Sequence, residues 1–233
     1  MLSLIVPTYN EAKSIGVLVG EIARVLGAEA FEIVVVDDDS PDGTAAVVER
    51  LPAELQARVL RRHAARDLSR AVVEGFAAAR GETLGVMDAD LSHPPGLIPG
   101  MLALLRSGEA DLVVASRLVP GGGTEDWPAS RKLTSRVGTL LARPFTRVRD
   151  PLSGYFLMKR GVIEGVRLEP RGYKILLEIL VRGRARRVRE LPFTFRDRTS
   201  GESKIGMRQN LDYLRQLFSL ARYRLGRLGA RQP

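Results

Sequence analysis

Cysteine is absent from this sequence, and histidine occurs only as His63 and His93. Without thiols, the chain can have no disulfide framework, no thiolate metal site and no cysteine nucleophile. Two histidines also disfavour a multi-histidine metal centre within one chain. No apolar run approaches the ~20 residues that span a bilayer, and the opening residues lack the basic segment of a signal peptide. We therefore expect a soluble or peripheral cytoplasmic protein.

Aromatic side chains are scarce, at 6% of the chain, whereas arginine is abundant and the net charge is +9. The charge is unevenly divided. Residues 1–116 hold 10 Lys and Arg against 17 Asp and Glu, while residues 117–233 hold 26 against 10. The basic second half predicts an anionic partner, which could be nucleic acid, a phosphate compound or a membrane surface. A solvated basic surface is the alternative that composition leaves open.

The chain of 233 residues, 45% of them hydrophobic, is long enough to form a substantial core. Its first half alternates short β-branched runs with helical patterns, and Asn10 is placed to cap the first helix. Strands are predicted at 2–6, 33–36, 58–60, 83–87 and 112–114, with helices near 12–26, 42–51, 68–80 and 95–106. Apolar strands separated by helices predict an α/β fold with a mostly parallel central sheet flanked by helices.

The second half is less regular. It contains a basic helical pattern near 128–142, an apolar stretch at 155–158, a helix near 172–182, a strand at 187–191 and a polar loop at 196–206. Lys174 and Glu178 are spaced to pair on the helix near 172–182. We predict one domain over 1–206, with halves 1–116 and 117–206, followed by a basic amphipathic helix and tail over 207–233.

Acidic side chains follow two of the predicted strands. Asp37, Asp38 and Asp39 repel one another unless a cation or ligand hydroxyls accommodate them. Asp88 and Asp90 could converge on one hard divalent cation, with a turn role for Asp90 as the alternative. Because ligands bind at the carboxyl edge of open parallel sheets, two acidic strand ends on that edge favour a site for a metal and a nucleotide.

Seven short motifs occur in an order that resembles the polyprenol-phosphate sugar synthases, and more narrowly the dolichol-phosphate mannosyltransferases. They are PTYNE (7–11), VVVDDDSPDGT (34–44), MDADLSH (87–93), ASR (115–117), DPLSGYF (150–156), GYKILLEIL (172–180) and FRDRTSGESKIG (195–206). That family consists of inverting members of glycosyltransferase family 2 with a GT-A fold. The resemblance implies a nucleotide-binding half over 1–116 and an acceptor half over 117–206.

The resemblance also implies residue roles. Asp88 and Asp90 would hold Mg²⁺ or Mn²⁺ with Ser92, which stands where the family often has Gln. Asp90, Arg117 and Asp150 would serve the reaction, although Asp150 could instead be a turn acid. A nucleotide sugar would contact Pro7, Tyr9, Glu11, Val36, Asp37, Asp38, Asp88, Ala89, Asp90, Arg117, Arg198 and Lys204. An acceptor phosphate would contact Ser130, Arg131, Ser135 and Arg136, for which a basic helix surface is the alternative.

The implied reaction is metal-dependent transfer of mannose from GDP-mannose to a polyprenyl (dolichyl-type) monophosphate, with inversion. One alternative keeps the fold and changes the donor to another nucleotide sugar such as UDP-glucose. A basic nucleic-acid-binding module is disfavoured, because aromatic residues are few and the acidic clusters would have no role.

The final helical pattern combines apolar and basic residues. Apolar residues recur at 211, 214, 217, 218, 221, 225 and 228, with arginines between them. Such a helix can lie on an anionic membrane surface or pack on the sheet domain. For an acceptor held in a bilayer we expect attachment at the cytoplasmic face of a membrane, by docking or through a partner membrane protein.

Overall fold

The computed structural model describes residues 1–125, 127–196 and 207–229, and its centre is a seven-stranded sheet. The strand order is β3-β2-β1-β4-β7-β5-β8, and β6 and β9 form a separate pair. The strands are β1 Leu2–Thr8, β2 Phe31–Asp37, β3 Ala57–Arg61, β4 Thr83–Val86, β5 Leu112–Ser116, β6 Gly123–Thr124, β7 Phe156–Lys159, β8 Val188–Pro192 and β9 Thr194–Phe195.

Seven α-helices are seen in the described ranges. They are α1 Ile15–Leu26, α2 Thr44–Glu49, α3 Leu68–Ala78, α4 Ile98–Arg106, α5 Ala129–Ala142, α6 Ile175–Arg182 and α7 Met207–Gly229. Within the same ranges, three 3₁₀ turns occupy Ala53–Leu55, Pro95–Leu97 and Arg160–Val162.

The sheet is covered on both faces, as the apolar strands predict. Alternate residues of β1 enter different cores: Leu4 joins the cluster formed with α1 and α4, whereas Ile5 joins the cluster formed with α3 and α6. Strands β1, β2, β3 and β4 pair in parallel, and β8 runs parallel to β5. Only β7 among the seven runs antiparallel to its neighbours. The predicted α/β fold with a mostly parallel sheet is confirmed.

The first helix begins later than predicted. It starts at Ile15 after Ser14, and Asn10 instead has a positive φ of 61°. The backbone N–H of Asn10 donates to Ser40 Oγ at 3.0 Å, and that of Glu11 donates to Thr44 Oγ1 at 2.9 Å. An N-cap residue has an extended backbone, whereas Asn10 has a left-handed one, so the prediction of Asn10 as a cap was wrong.

The last helix packs against the rest of the chain. Tyr213, Leu217 and Leu220 of α7 are buried in a third apolar cluster with residues of α5 and α6. The predicted domain boundary at residue 206 lies outside the described residues and stays a prediction.

We predict that Gly75→Ala lowers the free energy of unfolding by about 1–3 kcal/mol, because overpacking a tight core is destabilising. A Cβ at this position of α3 would lie 2.5 Å from Ile5 Cγ2 and 3.1 Å from Val36 Cγ2. Gly20 of α1 has no such neighbour within 4 Å, so Gly20→Ala should raise stability by up to about 1 kcal/mol. Urea denaturation followed by circular dichroism measures both changes. Equal stabilities of the two variants would contradict this view of the α3 packing.

Candidate active site

The carboxyl ends of β1 and β2 meet at one edge of the sheet, where the three consecutive acids find different partners. Asp37 Oδ1 accepts hydrogen bonds from Thr8 Oγ1 at 2.9 Å and Ser40 Oγ at 2.6 Å. Asp38 forms a buried ion pair with Arg62, and Asp39 is exposed. Burial raises the pKa of Asp38, and Arg62 opposes that rise. Hydroxyl groups of Thr8 and Ser40 and the cation Arg62 therefore relieve part of the repulsion expected among these acids; the sequence analysis missed Arg62.

The remaining residues predicted near the nucleotide differ in access. Arg66 lies over the ring of Tyr9 at 4.1 Å, and Glu11 accepts a hydrogen bond from Ser14 Oγ at 3.0 Å. Val36 and Ala89 are buried in the core, so a nucleotide could meet only their backbone. Pro7 pairs with Val36 in the register of β1 and β2, at the same sheet edge.

Asp88 and Asp90 lie directly beyond β4, as predicted. The Asp88 side chain is 32% exposed, whereas Asp90 is buried. Ser92 donates from its backbone N–H to Asp90 Oδ1 at 3.1 Å and from its hydroxyl at 2.5 Å. The Ser92 hydroxyl is thus engaged by Asp90, which suits an indirect role in holding a cation better than direct ligation.

The donor set of this loop fits a hard divalent cation. A Cβ at Gly154 would lie 3.2 Å from both carboxylate oxygens of Asp88, so the glycine allows the backbone to approach this side chain closely. In the described ranges no group of three or more acidic or histidine side chains could hold a metal. Carboxylate oxygens are ligands that Mg²⁺ prefers, and Mg²⁺ commonly shares its coordination with substrate oxygens.

His93 supports this loop and was missed as a site residue. Its Nδ1 accepts the backbone N–H of Asp88 at 3.0 Å, and its ring stacks on Tyr155 with centroids 5.2 Å apart. Burial lowers the pKa of His93 although the charge of Asp88 opposes this shift. The neutral ring therefore carries its proton on Nε2, 3.9 Å from Asp88 Oδ2. The signal available in the sequence was the position of His93, which follows Asp88 by only five residues.

Asp150 is fully buried and bound to Arg117. The Arg117 Nε and Nη2 donate to the two carboxylate oxygens at 2.7 and 2.8 Å, and its backbone N–H donates at 3.0 Å. Burial by itself would raise the pKa of Asp150, but Arg117 lowers it below its usual value. An ionised, enclosed acid of this kind holds Arg117 in place, so it is more than a turn acid before Pro151.

Lys174 reaches the same region and was missed as a site residue. Its Nζ donates to the Leu152 carbonyl at 3.2 Å. Burial lowers the pKa of Lys174 to about 8, Arg117 adds to this shift, and Asp150 opposes it. The predicted pairing with Glu178 was wrong: Lys174 precedes α6, whereas Glu178 lies inside the helix and pairs with Arg182 at 2.6 Å.

The start of α5 brings a further cation near Arg117. The guanidinium of Arg131 lies 4.1 Å from the Trp127 ring centroid, and that of Arg117 lies 5.4 Å from the same ring. Ser135 follows Arg131 by four residues and therefore lies on the same helix face. Ser130 and Arg136 are exposed. Arg198 and Lys204 lie outside the described residues.

Comparison with known proteins gives consistent relatives. The glycosyl transferase family 2 model matches residues 3–167. The dolichol-phosphate mannosyltransferase of Pyrococcus furiosus is 42% identical over 95% of this chain, which spans 64% of that protein. The enzymes of that name from Mycosarcoma maydis and Saccharomyces cerevisiae are 36% and 35% identical, each over 96% of this chain and over 80% and 88% of their own lengths.

Solved structures share the architecture at lower identity. The glucosyl-3-phosphoglycerate synthase of M. tuberculosis superposes with a TM-score of 0.69 at 19% identity, covering 97% of this chain and 81% of that one. Its complex with Mn²⁺, UDP and glucosyl-3-phosphoglycerate gives a TM-score of 0.68 at 18% identity, covering 97% and 80%. With the family model and the named relatives, this likeness shows that the chain has a GT-A fold and belongs to glycosyl transferase family 2.

Proposed function

We propose that the protein transfers mannose from GDP-mannose to a dolichyl-type polyprenyl monophosphate, with inversion at the anomeric carbon. The observation that carries this proposal is the meeting, at one sheet edge, of two carboxylates with three cations. Asp88 and Asp90 supply the carboxylates, and Arg117, Arg131 and Lys174 supply the cations. This combination suits two anionic substrates, one of them held through a metal ion. The names of the relatives point to mannose as the sugar and dolichyl phosphate as the acceptor.

The acidic side of the site would take the nucleotide diphosphate. The loop bearing Asp88 and Asp90 would hold Mg²⁺ or Mn²⁺, which when bound neutralises charge on the leaving diphosphate. Tyr9, Glu11 and the Asp37–Asp38 pair would contact the base and ribose. Arg198 and Lys204 stand at positions that resemble those of phosphate-binding residues in the family, and we predict that they also contact the nucleotide sugar.

The basic side would take the acceptor. A phosphate monoester is anionic near neutral pH, so one of its oxygens can attack the anomeric carbon without a strong general base. The new bond joins that oxygen to the sugar, and the bond from the sugar to the nucleoside diphosphate breaks. Two groups of the site that could act as a base are already engaged, which agrees with this chemistry. Asp150 accepts hydrogen bonds from Arg117, and His93 Nδ1 accepts the backbone N–H of Asp88.

The sequence analysis left two alternatives for the last helix, packing on the sheet domain and lying on a membrane surface. Each alternative corresponds to one face of α7. Tyr213, Leu217 and Leu220 pack on the protein, whereas an opposite stripe is exposed. The exposed stripe consists of Leu211, Leu214, Phe218 and Leu225, which are 48%, 52%, 66% and 68% exposed. No helix in the described part of the chain is long and apolar enough to cross a membrane.

Because the acceptor is a lipid, we propose that this stripe inserts into the membrane interface, with nearby arginines facing anionic headgroups. Attachment at the cytoplasmic face, directly or beside a partner membrane protein, is part of the same proposal.

Purified protein incubated with polyprenyl phosphate and Mg²⁺ or Mn²⁺ should form a mannolipid from GDP-mannose and no glycolipid from UDP-glucose. Chelation with EDTA should stop transfer. Asp90→Asn should reduce transfer by about 100-fold or more, because charge on the leaving group would be poorly neutralised. Glu109→Gln, at an exposed position in the loop before β5, is the control. Transfer from UDP-glucose but not from GDP-mannose would contradict the proposed donor.

Lys174 should give transfer a basic pH limit. Below its pKa of about 8 the side chain is a cation, and above it the charge is lost, so kcat/KM for the acceptor should fall as pH rises through about 8. Lys174→Arg should move this fall to higher pH, and Lys174→Met should lower kcat/KM by about tenfold and flatten the fall. Lys13→Met, an exposed lysine before α1, is the control. An unchanged profile in Lys174→Arg would exclude Lys174 as the titrating group.

The double variant Leu214→Ser, Phe218→Ser should bind phosphatidylglycerol vesicles at least tenfold more weakly, because two apolar side chains no longer enter the interface. Cosedimentation measures the binding. Val17→Ser replaces a similarly exposed side chain on α1, 54% exposed, and should bind as the unmodified protein does. Equal losses in both proteins would rule out docking through α7.

A further inference from the structure

The packed face of α7 reaches the acceptor side of the site at two points. We propose that Gln216 and Tyr213 are positioning residues, which set Lys174 and α5 for the acceptor phosphate. This proposal deepens the proposed function and rests on its assignment of the acceptor side. It gives α7 a second role, because the outer face would meet the membrane while the inner face shapes the site.

The contact of Gln216 is made with the backbone of Lys174. Gln216 is 1% exposed, and its Nε2 donates to the Lys174 carbonyl at 3.1 Å across 42 positions of the chain. Lys174 has φ −113° and ψ 54°, a conformation that is neither helical nor extended. From this backbone the side chain turns toward the Leu152 carbonyl. Gln216 therefore secures the peptide group from which the Lys174 ammonium is directed.

The contact of Tyr213 is made with α5. Tyr213 is 8% exposed, and its hydroxyl donates to the Gly138 carbonyl at 2.7 Å. Gly138 lies three residues after Ser135 on the helix that also carries Arg131. A carbonyl inside a helix already accepts an intrahelical hydrogen bond. The hydrogen bond from Tyr213 to the Gly138 carbonyl is therefore an additional one, which the packing of α7 on α5 provides. Tyr213 thus fixes the part of α5 that follows the acceptor residues.

A third set of contacts fixes α7 along α6. Arg182 Nη2 donates to Ser219 Oγ at 3.1 Å, and its guanidinium lies 4.4 Å from the Tyr223 ring centroid. Gln216, Ser219 and Tyr223 follow one another at helical spacing and share this face. Because these polar contacts tolerate only one register of α7 on α6, the Gln216 amide is held opposite the Lys174 carbonyl.

Leu152 joins these contacts to the ion pair of Asp150 and Arg117. Its side chain belongs to the apolar cluster with Tyr213 and Leu217, and its carbonyl accepts the Lys174 hydrogen bond. It follows the buried Asp150 by two residues. Displacement of α7 would therefore move Lys174, α5 and the segment after Asp150 together, all on the acceptor side.

The test is a direct binding measurement on the full chain. Trp127 is the one tryptophan, lies under Arg131 and reports ligand binding by its fluorescence. The probe is a short-chain, water-soluble polyprenyl phosphate. Gln216→Met keeps the side-chain volume but removes the amide, and should raise the Kd of this probe about tenfold. Tyr213→Phe, which loses a single oxygen, should raise it severalfold.

Selectivity separates positioning from general damage. Both variants should bind the nucleotide-sugar donor and phosphatidylglycerol vesicles as the unmodified protein does. Phe218→Ser, on the outer face, should weaken vesicle binding while the Kd of the soluble probe is unchanged. In Gln216→Met the fall of acceptor kcat/KM near pH 8 should also shift, which a smaller folded fraction could not cause.

Two outcomes would overturn the proposal. One is an unchanged probe Kd in folded Gln216→Met and Tyr213→Phe, with folding checked by circular dichroism. The other is a parallel loss of donor and probe binding. Failure of the proposed donor is distinguishable from failure of this proposal, because the probe titration needs no sugar transfer. Normal probe binding without mannosyl transfer would refute the proposed reaction but would leave the positioning roles of Gln216 and Tyr213 intact.

Discussion

The enclosed ion pair between Asp150 and Arg117 is the constraint on which the basic side of the candidate site depends. A carboxylate with no solvent exposure is stable as an anion only if its charge is met by well-placed donors. Arg117 supplies three of them, and Glu190 on β8 accepts the backbone N–H of Asp150 at 3.0 Å. The pair therefore fastens the segment before β7 to both β5 and β8. The carbonyl that receives Lys174 and the glycine beside Asp88 belong to this same segment.

On the acidic side of the site, hydrogen bonds and one ion pair compensate the negative charges. Asp38 and Asp37 obtain compensation from Arg62 and from neighbouring hydroxyls, while Asp90 is held by Ser92. Asp88 keeps a partly exposed carboxylate, with its backbone fixed by His93. The acidic first half of the sequence thus does not form one diffuse negative surface. It separates into acids that stabilise loops and acids that suit a shared cation.

Much of the fold and the place of the site could be predicted from local patterns. Alternation of apolar runs and helices indicates the parallel sheet, and polar residues after β1, β2 and β4 indicate the sheet edge that carries the candidate site. The antiparallel direction of β7 could not be predicted, because a short apolar run carries no information on direction. Likewise, pairing at i,i+4 assumes that both residues lie on the helix, and Lys174 lies just before it.

Contacts between residues far apart in the sequence are the second feature that could not be predicted. Arg62 and Asp38 are 24 positions apart, and nothing in either local pattern indicates their pairing. The last helix shows a different difficulty, since its apolar residues combine two stripes. Leu217 is buried and Phe218 is exposed, although they are adjacent. Periodicity detects that such a helix is amphipathic, but only the packed structure separates the face that contacts the protein.

The cations of the site are held by three kinds of partner that differ in electrostatic strength. Arg117 has a full countercharge in Asp150, Arg131 has the face of Trp127, and Lys174 has a neutral carbonyl. Burial and then the charge of Arg117 lower the pKa of Lys174, and the charge of Arg131 adds to this shift. In the proposed function, an anionic acceptor placed among these cations would lessen the repulsion among them. Donors fixed before the substrate arrives need little reorganisation as charge develops, which is the condition for effective electrostatic catalysis.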